Sequence, residues 1–183
     1  MLDISFLVLI SIPIYLTVLL VGIKKKYSLQ KQLLIFGFFA YLVAVVAVTL
    51  FPFPVQRNLI EHRREINYIS NNFIPFKTIL ETINQGYGIR RALGGNLVLL
   101  MPLSIFLPLL SNKYMNISKI TLIALTTSIG IELAQFTFSL FLGFNYRMTN
   151  IDDVILNTIG ALISFIIFMP IAKYLKKTVQ LSI

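Results

Sequence analysis

Five runs of apolar residues, each long enough to cross ~30 Å of hydrocarbon as a helix, dominate this chain. They fall at about 2–23, 33–51, 92–110, 118–142 and 154–175. Runs of that length leave few folds open. In lipid every backbone polar group must be satisfied within the protein, and a helix does so inside one segment. The expectation is an all-α polytopic membrane bundle of about five transmembrane helices, built as a single membrane domain over 1–183. Composition agrees, with 57% apolar residues, 13% charged residues and a mean hydropathy of +0.83. Pro13, Pro102 and Pro108 lie inside these runs, so neighbouring helices or water must serve the carbonyls they free. The first run has no basic leader and no small-residue cleavage site, and Lys24-Lys25-Lys26 follows it directly, so it reads as a retained anchor.

A net charge of +9 raises nucleic acid as a partner, but its distribution argues otherwise. Lys24, Lys25, Lys26, Lys31, Lys113, Lys119, Lys173, Lys176 and Lys177 all fall on one side of the expected membrane, with no acid among them. The opposite side holds Arg57, Arg63, Arg64, Lys77, Arg90, Arg91 and Arg147, and its basic and acidic groups cancel once Glu132 is included. The excess is therefore a topology signal. It puts the lysine side in the cytoplasm, with the amino terminus outside and the carboxyl terminus inside. The absence of cysteine excludes disulfides, thiolate metal sites and a Cys nucleophile. With His62 as the sole histidine, a multi-His zinc site is excluded too.

The outer loop, 52–91, opens on Phe51-Pro52-Phe53-Pro54, which stops a helix. Phe76, Ile79, Leu80 and Ile83 then recur at helical spacing with Lys77 and Glu81 off the stripe, which predicts a short helix near 76–84. Such a helix either lies on the outer membrane interface or packs on the bundle. Gly86 and Gly88 end it before Arg90 and Arg91, which are candidates for holding a phosphate at the interface.

The polar residues inside the apolar runs carry the chemistry. Glu132 falls roughly midway along the fourth run, ~14 Å from its outer end, where a carboxylate costs several kcal/mol unless paired, hydrated or protonated. Gln135 follows at i+3 on the same face. The alternative is that the pair only glues helices together. Around the start of the fifth run stand Arg147, Asn150, Asp152, Asp153 and Asn157. Asp153, Asn157, Gly160 and Ser164 share one helical stripe, and Gly160 there predicts close approach of another helix. Asp152 reads best as a helix cap, and Arg147 equally well as an ordinary interfacial arginine. Asn96, after Gly94-Gly95, opens the third run. Asn96, Gln135, Asp153 and Asn157 are expected to line an outward-opening polar cavity with Glu132 at its floor.

Together these residues resemble the VanZ-like family of small bacterial membrane proteins. The matching runs are Asn72-Phe73-Ile74-Pro75-Phe76, then Asn96-x-x-Leu99-x-x-Pro102-Leu103 with Pro108, then Glu132-x-x-Gln135. Arg147-x-x-x-x-Asp152-Asp153-x-x-x-Asn157-x-x-Gly160 completes them, so the likeness covers about 41–170. Asn150 stands where family members often have aspartate. The resemblance implies a bacterial cell-envelope protein at the outer face of the cell membrane, associated with lowered susceptibility to teicoplanin-type glycopeptides. It supplies no reaction.

Three functions follow. The first is binding or moving an envelope lipid or cell-wall precursor lipid in the cavity, through Asn96, Glu132, Gln135, Arg147, Asp152, Asp153 and Asn157. The second is an intramembrane enzyme using Glu132 as general base, with Asp152 and Asp153 on a divalent cation. The third is a membrane scaffold for another envelope protein. No cofactor and no metal are expected, and no catalytic residue or oligomeric state is assigned.

Overall fold

The computed structural model describes residues 1–66 and 70–179; the side chains of Arg91 and of residues 175–179 lie outside the described residues. Two long helices open the chain, α1 over Ile4–Lys24 and α2 over Leu29–Leu50. Asp3 caps the first, accepting from Phe6 N, and Ser28 caps the second, accepting from Lys31 N. That cap makes the polar turn from Leu29 helical, so α2 begins before its apolar run does. Two short helices follow in the loop, α3 over Arg57–Glu65 and α4 over Lys77–Gln85. Phe76, Leu80 and Ile83 are exposed on α4, while Thr82 is buried.

The third span is interrupted. A π-helical turn at Arg90–Gly94 leads into α5, Gly95–Leu99, and then α6, Met101–Leu110. Leu100 leaves helical geometry (φ −102°, ψ 5°), and Pro102 has no amide to give the carbonyl one turn back. Other side chains serve the carbonyls at the break: Tyr41 Oη donates to Leu99 O at 3.0 Å and Ser164 Oγ to Met101 O at 3.2 Å. The last two spans are continuous, α7 over Ile117–Leu142 and α8 over Ile151–Val179. Gly143, at φ 73°, closes α7 in the left-handed conformation that favours glycine. Arg64 Nε caps the same end by donating to Leu142 O at 2.7 Å, a cation placed where the helix dipole favours one.

Five of these segments are long and apolar enough to cross a membrane: Ile4–Lys24, Leu29–Leu50, Ala92–Leu110, Ile117–Leu142 and Ile151–Tyr174. Among the described residues there are no strands, only isolated bridges joining Leu2 to Phe53 and Asn72 to Asn150. The expected all-α multi-span bundle is thus the observed fold.

Helix α8 is its centre, packed by α5, α6 and α7. Small residues let them close. A Cβ at Gly160 would lie 1.7 Å from Leu97 O, so α5 sits directly on the α8 backbone. Ala161 and Ala124 are fully buried in the core with Leu100 and Leu103. Helix α2 reaches this core through Phe38 against Phe106, ring centroids 5.6 Å apart. Helix α1 stands outside it, resting on α2 through Tyr15 against Phe36 and Phe39 at 5.1 and 5.4 Å.

Candidate functional site

The site grows from the corner between α7 and α8. Asn150 caps α8: its Oδ1 accepts from Asp152 N at 3.1 Å, the role asparagine suits best at a helix start. Its other polar groups are used as fully. The Asn150 backbone amide donates to Glu132 Oε2 at 2.8 Å, and Nδ2 donates to Asp153 Oδ1 at 3.0 Å. An aspartate at 150 lacks that second donor. Asn150 is 1% exposed and Glu132 6%, so these bonds form away from water, where an unmade one is expensive.

The loop ties into the same corner. Asn72 N donates to Thr149 O and Ile151 N donates to Asn72 O, both at 2.9 Å, a short parallel bridge. Asn72 Nδ2 adds a bond to Asn150 Oδ1 at 2.9 Å, and Asn72 Oδ1 accepts from Ile74 N at 3.0 Å. The Asn72–Phe76 run is therefore a turn built to dock on the start of α8. Asp152 completes it. Fully buried, it accepts from Phe76 N at 2.5 Å through Oδ1 and from Ile79 N at 3.1 Å through Oδ2. It caps α4, whose own N-cap position holds Phe76 in a left-handed conformation with no side-chain acceptor. Asp152 is a capping residue, as its place in a first turn suggests, but for a helix in another part of the chain.

Gln135 and Arg147 both secure the end of α2. Gln135 Nε2 donates to Thr49 O at 3.0 Å and Arg147 Nη2 to Phe51 O at 2.6 Å. They serve carbonyls at and beyond a helix end that lacks intrahelical partners. Next to Arg147, burial pushes the Tyr146 phenol above its ordinary range, and the guanidinium draws it partly back.

Between these elements lies a cavity of about 560 Å³, bordered by Asn96, Gln135, Arg147, Asn150, Asp152 and Asp153. Asn96 Nδ2 donates to Ala92 O at 3.1 Å within its own helix, and the same side chain reaches Asp153. Two residues expected in the cavity are not on its border. Glu132 is drawn against the Asn150 amide, so it buttresses the corner rather than forming a floor. Asn157 faces α7, donating from Nδ2 to Ser128 Oγ at 2.8 Å, and its Oδ1 is buried with no partner. Arg90 is exposed at the start of the π-helical turn and does not border the cavity. Arg91, the other phosphate candidate, has its side chain outside the described residues. Among the described residues, no group of three or more acidic or imidazole side chains converges as a metal site.

A second feature adjoins the cavity. An apolar groove of about 530 Å³ runs between α1 and α2, lined among others by Val8, Tyr15, Phe39 and Ala44. Ile4, Ala47 and Val48 border both spaces, so polar cavity and apolar groove are neighbours. Sequence periodicity gave no sign of the groove, because it belongs to a pair of helices and not to either one.

Five apolar spans around a buried polar corner define a multi-pass helical membrane protein. The chain belongs to the VanZ/LLP1 family, whose model matches residues 38–173, well over half its length. No curated relative and no solved structure gives a significant match.

Proposed function

We propose that this chain binds, and in doing so moves, an envelope lipid or cell-wall precursor lipid at the outer face of a bacterial cell membrane. The observation that carries the reading is a polar cavity of about 560 Å³ that shares Ile4, Ala47 and Val48 with an apolar groove of about 530 Å³ beside it. A head group fits the first and acyl or prenyl chains the second; both volumes lie in the range of ordinary ligand pockets. The lysine distribution supports an orientation with the amino terminus and the cavity outside. The interrupted third span supports movement, since discontinuous helices beside a midplane site recur in transporters. Lowered teicoplanin susceptibility belongs to this reading as its physiological outcome.

The enzyme reading has less behind it. Glu132 and Asp152, its proposed base and cation ligand, already accept from backbone amides.

Native mass spectrometry of the purified chain tests the proposal. Wild type is expected to retain lipid, and Asn96→Leu to lose it, because that substitution puts an apolar, bulkier side chain on the cavity border in place of an amide. The same variant should abolish any protection against teicoplanin in a susceptible host. A wild-type protein that emerges free of lipid sinks the reading.

A further inference from the structure

Resting on the lipid reading, the charges around the cavity narrow the head group. Three carboxylates, Glu132, Asp152 and Asp153, lie in or near the corner, and Arg147 borders the same cavity as the two aspartates. Two of the three are committed to backbone amides, as described above. Asp153 differs. It is half-buried on the cavity border, held by the amides of Asn150 and Asn96 and by no basic side chain among the described residues. Arg147 borders the same cavity, and its Nη2 donates to a neutral carbonyl, that of Phe51, at 2.6 Å. A guanidinium has five N–H donors, so most remain for a ligand. The ion pair formed among the described residues is Arg57–Glu61, on the loop surface. Arg147 and Asp153 therefore face one cavity, opposite in charge and not paired to each other.

We infer that the cavity takes a zwitterionic aminophospholipid head group, with phosphate on Arg147 and primary ammonium on Asp153. A ligand of that class neutralises both groups at once, through charge-assisted hydrogen bonds that are stronger than neutral ones. A purely anionic head group satisfies Arg147 and places negative charge against Asp153. A quaternary ammonium brings the right charge but no N–H to donate. Ala40 and Ala44, on the groove wall, leave room for the acyl chains alongside Tyr15 and Phe39.

The test uses the full chain in detergent, titrated with phosphatidylethanolamine, phosphatidylcholine and phosphatidylglycerol of matched acyl chains. Wild type should bind phosphatidylethanolamine about tenfold more tightly than either other lipid, the ratio one charge-assisted contact supplies. Asp153→Asn should erase the preference over phosphatidylcholine while leaving phosphatidylcholine affinity within about twofold. Ala44→Phe, which fills the groove at a residue that does not border the charged cavity, should weaken all three lipids together. If Asp153→Asn does not fold, the wild-type ratios decide alone. Equal or tighter binding of phosphatidylglycerol or phosphatidylcholine by wild type overturns the head-group assignment and leaves the lipid reading standing. No binding of any of the three overturns both.

Discussion

Helices α1 and α8 are both apolar enough to span a membrane, yet 6% of the apolar stretch of α1 is buried in the protein against 33% for α8. Hydrophobicity does not separate them, since a leucine gains little by leaving lipid for protein. Their small and polar residues do. Helix α8 carries Asp153, Asn157, Gly160 and Ser164 on one stripe, and each of the last three touches a different neighbour or carbonyl. Helix α1 has Gly22 as its one buried residue, and its Ser11 and Thr17 bond back to their own helix. The family match begins at residue 38, beyond α1 altogether. In this molecule polar and small residues decide what packs, and apolar ones decide only what spans.

The sharpest way to break that comparison is at Gly160. Any side chain there meets backbone, with Leu97 O 1.7 Å from the added Cβ, so α5 must move away from α8. Gly160→Val should cost about 3 kcal/mol or more, beyond ordinary overpacking because no side chain can yield. Unfolding titrations in mixed micelles measure it. A variant within 0.5 kcal/mol of wild type, the size of an ordinary surface change, means the close approach does not hold the bundle.

Next in size is Glu132. Removing its carboxylate with Glu132→Ala strands the Asn150 amide in a buried corner, at about 2–3 kcal/mol. Glu132→Gln keeps an acceptor and should recover most of that loss. Because Glu132 does not border the cavity, both variants should retain lipid in proportion to how much protein folds. Lipid lost by a fully folded Glu132→Gln protein would put the residue back in the binding site.

Much of this was legible in the sequence, and the division is physical. Span positions follow from local composition, so they were readable to within a turn or so. The Gly160 stripe was readable because helical spacing alone puts its members on one face. What sequence could not supply was the partner of each polar group. Asp152 reaches Phe76 and Asn150 reaches Asn72 across nearly half the chain, and no periodicity encodes such a pairing. Arg64 shows the same limit. In the sequence it is only one of a pair of basic residues in a loop, and in the fold it caps α7. Asn157 was expected to face the cavity and instead meets Ser128 on α7, since facing depends on which neighbour stands there.

The third prediction separates Asp152 from the spans. Asp152→Asn exchanges one of two acceptor oxygens for a donor facing an amide, so the start of α4 loses part of its cap, at about 1–2 kcal/mol. The loss should be local. Hydrogen exchange is expected to accelerate over residues 73–85 while the amides of α7 and the rest of α8 stay protected. Global loss of protection would show that the cap holds the bundle as well as the loop.

The smallest effect is expected on α1. Tyr15 supplies the aromatic contacts that seat this helix on α2, and Tyr15→Ala should cost about 1 kcal/mol, the scale of such ring pairs. In lipid the stripped surface is simply covered by acyl chains, so no buried polar group is left unpaired to enlarge the penalty. Cross-linking between cysteines placed on α1 and α2 should fall, while the unfolding of the α5–α8 core stays unchanged. The groove between α1 and α2 would loosen with it, so lipid retention should drop even though no residue of the polar cavity has changed. If core stability falls as far as in Glu132→Ala, α1 belongs to the cooperative unit after all, and the contrast between the two helices is one of burial without consequence.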